Sequence, residues 1–190
     1  MDLGKLERQG LIEKVNKDQK LAGDLVKSAK NDLQTAEDNL RINHPDWALA
    51  ISYHAMLSAG MALMAAKSFR ASGDSHHLSV VKFCAEVFPA ESTQLVSSFN
   101  KYRVRRNDII YGEAKDSVGE DEALRVLARA KEFVKKVEEI LAGYLISPAC
   151  SSPAYIPHPF QKPALHQSTP QRPSRDNSLS PCRKPSGKAP

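Results

Sequence analysis

The chain has 190 residues, of which 41% are hydrophobic and 26% are charged, and this composition suits one soluble domain with a single core. The net charge of +5 belongs to the C-terminal end. Residues 147–190 carry six basic side chains and one acidic side chain, whereas residues 1–146 carry 21 of each. Residues 1–146 therefore have no bulk attraction for nucleic acid, and any RNA affinity there must come from a local cluster.

Six helical segments follow from apolar residues spaced by threes and fours. They cover residues 3–17, 20–42, 45 to about 71, 77–88 and 90–113, and a last helix begins at the capping box S-V-G-E over 117–120. Pro45 suits the first turn of the third helix. No alternating run bounded by turn residues predicts a strand. Short polar links favour an all-α, antiparallel up-and-down bundle over residues 1–146.

The third segment raises the question of a membrane span. Residues 47–66 contain no Asp, Glu, Lys or Arg, and this run just reaches the length that crosses a bilayer. The run also contains serine, histidine, glycine and many alanines, which favours a helix at the centre of a soluble bundle. His54 within it is expected to be a core histidine, and His76-His77 to have a turn or cap role.

Proline marks the end of the bundle. Ten of the 12 prolines lie beyond residue 147, where few large apolar side chains remain. Proline at this density blocks helices and sheets, so residues 147–190 are predicted to be a disordered, basic, proline-rich tail. An incidental extension, such as a read-through, is the alternative.

No cofactor or metal motif is apparent. The sequence has no Gly-rich phosphate loop and no H-E-x-x-H. Its three cysteines, Cys84, Cys150 and Cys182, form no C-x-x-C pair, which argues against a zinc site and fits a reducing cytoplasm. The N-terminus lacks the apolar region of a secretory signal. The expectation is a cytoplasmic protein with no metal, no cofactor and no membrane span.

The fifth segment carries an unusual polar patch. Its apolar stripe runs through Phe99 and Tyr102 and then reaches Arg106, and an unpaired arginine on a core-facing stripe is costly to bury. Three arginines lie within four residues of one another, and these are Arg103, Arg105 and Arg106. Asn107 and Tyr111 are four residues apart on one face. Surface ion pairs with Asp108 and Glu113 are the plainer alternative to a functional site.

Three short motifs resemble the HEPN superfamily in the right order. R-N-D-I-I-Y at 106–111 resembles its R-N-x-x-x-H signature, with tyrosine in place of histidine. A-I-S-Y-H-A-M at 50–56 resembles its Y-Y-A helix, with His54 in place of the second tyrosine. S-H-H-L-S-V at 75–80 resembles the s-H-x-x-v turn that follows. The similarity covers roughly residues 20–142.

The resemblance implies a metal-independent ribonuclease that works as a homodimer with two such motifs facing one cleft. Arg106 would stabilise charge on the phosphate, Asn107 would orient the groups, and Tyr111 stands where a histidine would move the proton. Tyrosine, with an ordinary pKa near 10, is a poor base at pH 7. The implied function is an RNA-directed effector, a weak ribonuclease or an RNA binder that uses Arg103, Arg105 and Arg106.

HEPN domains often occur beside a small nucleotidyltransferase. The resemblance therefore places the chain in a two-component system of the toxin–antitoxin kind. The alternative is a non-enzymatic interaction module that partners such a nucleotidyltransferase. The tyrosine at 111 and the neutral bundle favour the module, whereas the arginine cluster favours RNA.

Overall fold

A computed structural model describes residues 2–73, 75–110 and 118–146, and within these it confirms the predicted all-α bundle. The six helices are α1 (Leu3–Arg8), α2 (Gln19–Arg41), α3 (Pro45–Ala66), α4 (His76–Val87), α5 (Thr93–Ile110) and α6 (Glu120–Ile146). A 3₁₀ turn, Ala90–Ser92, precedes α5. The predicted boundary at residue 147 and the tail beyond it lie outside the described residues.

The predicted C-terminal ends of the first and third helices are wrong, because a small sheet forms in their place. Strand β1 (Ile12–Lys14) pairs antiparallel with β2 (Phe69–Ala71). Gly10 (φ 66°) and Ser68 (φ 67°) adopt the left-handed conformation that ends α1 and α3. Ile12, which continues the apolar spacing of α1, is instead buried through this pairing. Strands of three residues are too short to show an alternating pattern, and the pairing partner lies far along the chain.

Helix α3 forms the centre of the bundle. It begins with Pro45 at its first turn, as predicted. It is long and apolar enough to cross a membrane, but 83% of its most apolar 18-residue stretch is buried inside the protein. Its buried side chains join aromatic residues from the surrounding helices in one main core, which includes Tyr53, Phe83, Phe99 and Phe133. The charge-free run is therefore the core helix of a bundle.

Small side chains let α2 lie close against α3. The buried residues of α2 are alanines seven residues apart, Ala22, Ala29 and Ala36. Spacing by threes and fours predicts one core-facing stripe for α2, and its members are Leu21, Leu25, Ala29, Leu33, Ala36 and Leu40. Leu21 is instead largely exposed. The link of three residues between the two helices makes them antiparallel neighbours. The apolar period of α2 thus correctly predicted a helix, but it assigned one leucine to the wrong face.

The close approach of α4 to α3 depends on Gly60. A Cβ at this position would lie 2.5 Å from Val80 Cγ1 and 3.2 Å from the sulfur of Cys84. Both neighbours are buried side chains of α4. Only glycine therefore permits the observed distance between α3 and α4. Spacing by threes and fours predicts a buried face of α4 that consists of Leu78, Val81, Ala85 and Phe88. This prediction was partly wrong, because Ala85 is exposed and Phe83 and Cys84 are buried.

The start of α6 is tied to the start of α3. The backbone N–H of Val118 donates a 2.9 Å hydrogen bond to Asp46 Oδ1. Val118 also packs with Leu49 and Val126 in a second, smaller apolar cluster. Ser117 of the predicted capping box lies outside the described residues, and α6 begins at Glu120, two residues later than an N-cap at Ser117 would place its first helical residue. This end of the bundle fixes the N-terminal turns of α3 and α6 beside the C-terminal end of α5.

Candidate functional site

Aromatic packing holds α5 in place. Phe99 is fully buried, with its ring centroid 5.6 Å from that of Tyr53 on α3 and 5.0 Å from that of Phe133 on α6. Residues four and seven positions further along a helix lie on the same face. Those residues are Arg103 and Arg106, and both are half-buried. The packing of Phe99 therefore directs two arginines towards the N-terminal end of α4 and the middle of α3.

The two arginines line a polar cleft, here called the arginine cleft. Its volume is about 410 Å³, and its lining comprises Ser75, His76, His77, Leu78, Arg103, Arg106 and Asn107. Arg106 Nη1 donates to Asn107 Oδ1 at 3.2 Å, and Arg103 Nε donates to Asn100 Oδ1 at 3.1 Å. None of these lining residues is acidic. Guanidinium groups that donate to neutral amides keep further N–H groups for an anion.

A second, smaller cavity lies on the other side of Arg106 and is here called the tryptophan cavity. It has a volume of about 190 Å³ and is lined by Asp32, Trp47, Ala50, Ile51, Tyr53, His54, His77, Arg106 and Ile110. Arg106 and His77 line both spaces. Two apolar side chains at its rim are open to solvent, Trp47 with 58% exposure and Ile110 with 40%.

His77, to which the sequence assigned only a turn or cap role, lies against Tyr53 of α3. Its Nδ1 lies 3.1 Å from the Tyr53 hydroxyl, and the two ring centroids are 5.8 Å apart. Burial is the main cause that lowers the pKa of His77 below its ordinary value of 6.5, and the positive charge of Arg106 adds to it. Burial also raises the pKa of Tyr53 to about 12. At neutral pH both side chains are therefore uncharged and joined by a hydrogen bond.

His54 is not the core histidine that its apolar surroundings indicated. Its side chain is 59% exposed, and Nδ1 lies 2.8 Å from Asp32 Oδ2 on α2. Trp47, His54 and Met61 are seven residues apart and form a solvent-facing edge on the otherwise buried α3. The prediction failed because α3 is apolar on almost every side, so its sequence contains little periodicity that marks this edge.

The predicted cluster of three arginines is divided by the helix. Arg105 points to α6, where its Nε and Nη2 donate to the two carboxylate oxygens of Glu122 at 2.9 and 3.1 Å. This contact is the main cause that lowers the pKa of Glu122. Arg105 does not line the arginine cleft. The ion-pair alternative thus describes Arg105, although its partner is Glu122, while Arg103 and Arg106 stay together.

Of the proposed catalytic residues, the structure brings Arg106 and Asn107 into direct contact, and Tyr111 lies outside the described residues. Tyr53 and His77 fall within the two shorter motifs, the Y-Y-A helix and the s-H-x-x-v turn, and these were the available signals for them. Within residues 2–73, 75–110 and 118–146, no group of three or more His, Cys, Asp or Glu side chains could hold a metal ion.

The model of the HEPN domain family matches residues 22–140. No curated protein matches the chain. Among solved structures, TT1696 from Thermus thermophilus is similar, with 20% identity and a TM-score of 0.51 over 63% of this chain and 97% of that one. At this identity the likeness shows the fold alone. The family match extends from α2 to α6 and includes His77 and Arg106, the two residues that line both cavities. The chain belongs to the HEPN domain family.

Proposed function

We propose that this HEPN protein is an RNA-directed effector that binds the RNA backbone in the arginine cleft and cleaves it weakly without a metal. The observation that carries the proposal is the pair of half-buried guanidinium groups, Arg103 and Arg106, in a cleft whose described lining contains no carboxylate. A phosphate would complete their hydrogen bonding. Arginine suits this ligand because its planar fork can donate two parallel hydrogen bonds to two phosphate oxygens.

The charge distribution supports a local site. Residues 1–146 carry equal numbers of basic and acidic side chains, so a general attraction for RNA is not expected from them. Many surface cations are already paired, as Lys131 is with Glu37 and Arg129 with Glu132. Arg103 and Arg106 instead contact amide oxygens. Affinity for phosphate should therefore be concentrated in the arginine cleft.

The double replacement Arg103→Gln with Arg106→Gln should weaken binding of single-stranded RNA at least about tenfold, because removing a hydrogen bond to a charged group costs about 1.5–3 kcal/mol. The salt dependence of the logarithm of affinity should fall by about 1.4, at about 0.7 for each phosphate that is no longer neutralised. Fluorescence anisotropy with a labelled oligonucleotide over a series of salt concentrations measures both quantities.

Arg129→Gln provides the matched control, because Arg129 lies on α6 and pairs with the exposed Glu132. This variant should bind RNA like the wild type. Equal affinity of the double variant and the wild type, with both folded by circular dichroism, would refute the RNA-binding proposal. A lower affinity with an unchanged salt slope would also count against direct phosphate binding.

The effector would act as a homodimer, with the tryptophan cavity at or near the interface. Trp47 and Ile110 support this, because a second copy would cover two large apolar side chains that are otherwise in water. Light scattering at tens of micromolar should give the mass of a dimer for the wild type and of a monomer for Ile110→Glu. Leu124→Glu, at an exposed leucine of α6, should stay dimeric. A monomeric wild type would exclude a cleft that is formed by the motifs of two copies.

The same apolar rim favours one other candidate function. It would suit a non-enzymatic module that docks a small nucleotidyltransferase, and either function would fit a two-component system of the toxin–antitoxin kind in the cytoplasm. The two candidates differ in whether a nucleotidyltransferase encoded by an adjacent gene must bind this protein. Co-expression with an adjacent nucleotidyltransferase should give a stable complex in the second case even when Arg103 and Arg106 are both replaced.

A further inference from the structure

The proposed cleavage needs two proton transfers, and the tyrosine at position 111 serves them poorly. A ribose 2′-hydroxyl must lose its proton as it attacks the adjacent phosphorus, and the departing 5′-oxygen must gain one. Side chains that do this near neutral pH are usually histidines. Two histidines line the tryptophan cavity together with Arg106, and these are His77 from α4 and His54 from α3.

His77 has the environment of a proton acceptor. Its ring is held by Tyr53, both through the 3.1 Å contact at Nδ1 and through ring packing. When Nδ1–H donates to the tyrosine oxygen, Nε2 keeps its lone pair and can accept a proton. Among the described residues, the charged or titratable groups around it are Arg103 and Arg106 on α5, His54 and Tyr53 on α3, and its neighbour His76. The cations among them, together with burial, keep the ring neutral at pH 7.

His54 has the environment of a proton donor. Asp32 on α2 accepts a hydrogen bond from Nδ1 at 2.8 Å. A carboxylate in this position fixes the orientation and the tautomer of an imidazole. When the ring is protonated, the opposite nitrogen, Nε2, carries the hydrogen that can be given away. The ring is exposed, so it can exchange protons with water after each turnover.

We propose that His77 and His54 form the proton-transfer pair of this protein, with Arg106, which lines the same cavity, on the phosphate; this inference rests on the proposed function. His77 Nε2 takes the proton of the 2′-hydroxyl while a bond forms between the 2′-oxygen and phosphorus. The bond between phosphorus and the 5′-oxygen breaks, and His54 gives its proton to that oxygen. The products are a 2′,3′-cyclic phosphate and a 5′-hydroxyl, and water returns the two histidines to their starting states.

The test measures single-turnover cleavage of an oligodeoxynucleotide that contains one ribonucleotide, with mass spectrometry of the products. His77→Gln and His54→Gln should each lower the cleavage rate about 10²-fold, the contribution typical of one acid–base group. Affinity for the same oligonucleotide should stay within about twofold, because Arg103 and Arg106 remain. His44→Gln, at an exposed histidine before α3, is the matched control and should cleave like the wild type.

The pH dependence separates catalysis from a structural role. The wild-type rate should rise with pH on the acidic side as His77 loses its proton. His77→Gln should lose this rise, because no base then remains to be deprotonated. A variant that merely disturbed the fold would lower the rate at every pH and leave the shape unchanged.

Three results would overturn the inference. The first is a wild type that binds RNA through Arg103 and Arg106 but does not cleave it, which leaves the proposed RNA binding intact. The second is unchanged cleavage in both histidine variants. The third is a cleavage rate that Arg106→Gln leaves unchanged, which would identify a contaminating nuclease. Loss of arginine-dependent binding would instead refute the proposed function itself. Because the His54 side chain is exposed, His54→Gln keeps the test decisive even if His77→Gln fails to fold.

Discussion

Replacing Phe99 with alanine should lower the free energy of unfolding by about 3–5 kcal/mol, the range for removing a buried phenylalanine. Phe99 is fully buried and touches aromatic rings on both α3 and α6, so the space it leaves cannot be filled without moving one of those helices. Urea unfolding followed by circular dichroism measures the change. The same substitution should weaken RNA binding, because Arg103 and Arg106 depend on the position of α5.

Val104→Ala provides the control for this prediction. Val104 lies on the same helix but is exposed, and removing two methyl groups there should change the free energy of unfolding by less than about 0.5 kcal/mol. A change below about 1 kcal/mol for Phe99→Ala would contradict the role of Phe99 as the anchor of α5. So would normal RNA affinity in a strongly destabilised but folded protein.

If position 111, and not the pair of His77 and His54, carries a proton transfer, Tyr111→His should raise metal-independent RNA cleavage about 10²-fold, by adding a general acid–base group to the R-N-x-x-x-H pattern. The ordinary pKa of histidine is near 6.5 and that of tyrosine near 10, so only histidine exchanges protons readily at pH 7. EDTA should have no effect on the rate. Single-turnover cleavage of the oligonucleotide used for His77 and His54 measures the gain.

Tyr111→Phe is the matched control, because it removes the hydroxyl and adds no titratable group. It should leave the wild-type rate unchanged if His77 and His54 move the protons. Adding Arg106→Gln to Tyr111→His should abolish the gain. Wild-type rates in Tyr111→His would show that the arginine at 106 does not serve a catalytic motif at 111, and a large loss in Tyr111→Phe would assign a proton transfer to the tyrosine hydroxyl.

The sequence predicted the long helices well, and it predicted the short strands and the solvent-facing edge of α3 poorly. In α6 the predicted apolar stripe was Ala123, Leu127, Ala130, Val134, Val137, Leu141 and Tyr144. Its first five residues are buried, because one apolar face of a surface helix is periodic. The strands at Ile12 and Phe69 exist only through pairing with each other, and no local pattern encodes that contact. Leu21 was assigned to the core because a leucine stripe does not reveal that alanines make the closer helix contact.

The candidate site was predictable in part for similar reasons. Arg106 interrupts an apolar stripe, and this local irregularity identified its helix as a candidate functional site. Its neighbours His77, Tyr53 and His54 come from two other helices, so only the tertiary fold brings them together. Arg105 was grouped with Arg103 and Arg106 because proximity in sequence does not show which face of a helix a side chain occupies. Its bidentate contact with Glu122 on α6 depends on how the helices pack.

Gly60 sets the distance between two core helices beside the candidate site. The missing side chain lets Val80 approach α3, and Val80 lies one turn along α4 from His77. A methyl group at position 60 would push this part of α4 outward and carry His77 away from Tyr53 and Arg106, even though it would touch none of the three. The separation of α3 and α4 therefore determines the shape of the tryptophan cavity. On the proposed function, residues without any contact to a ligand would affect how well this cavity binds it.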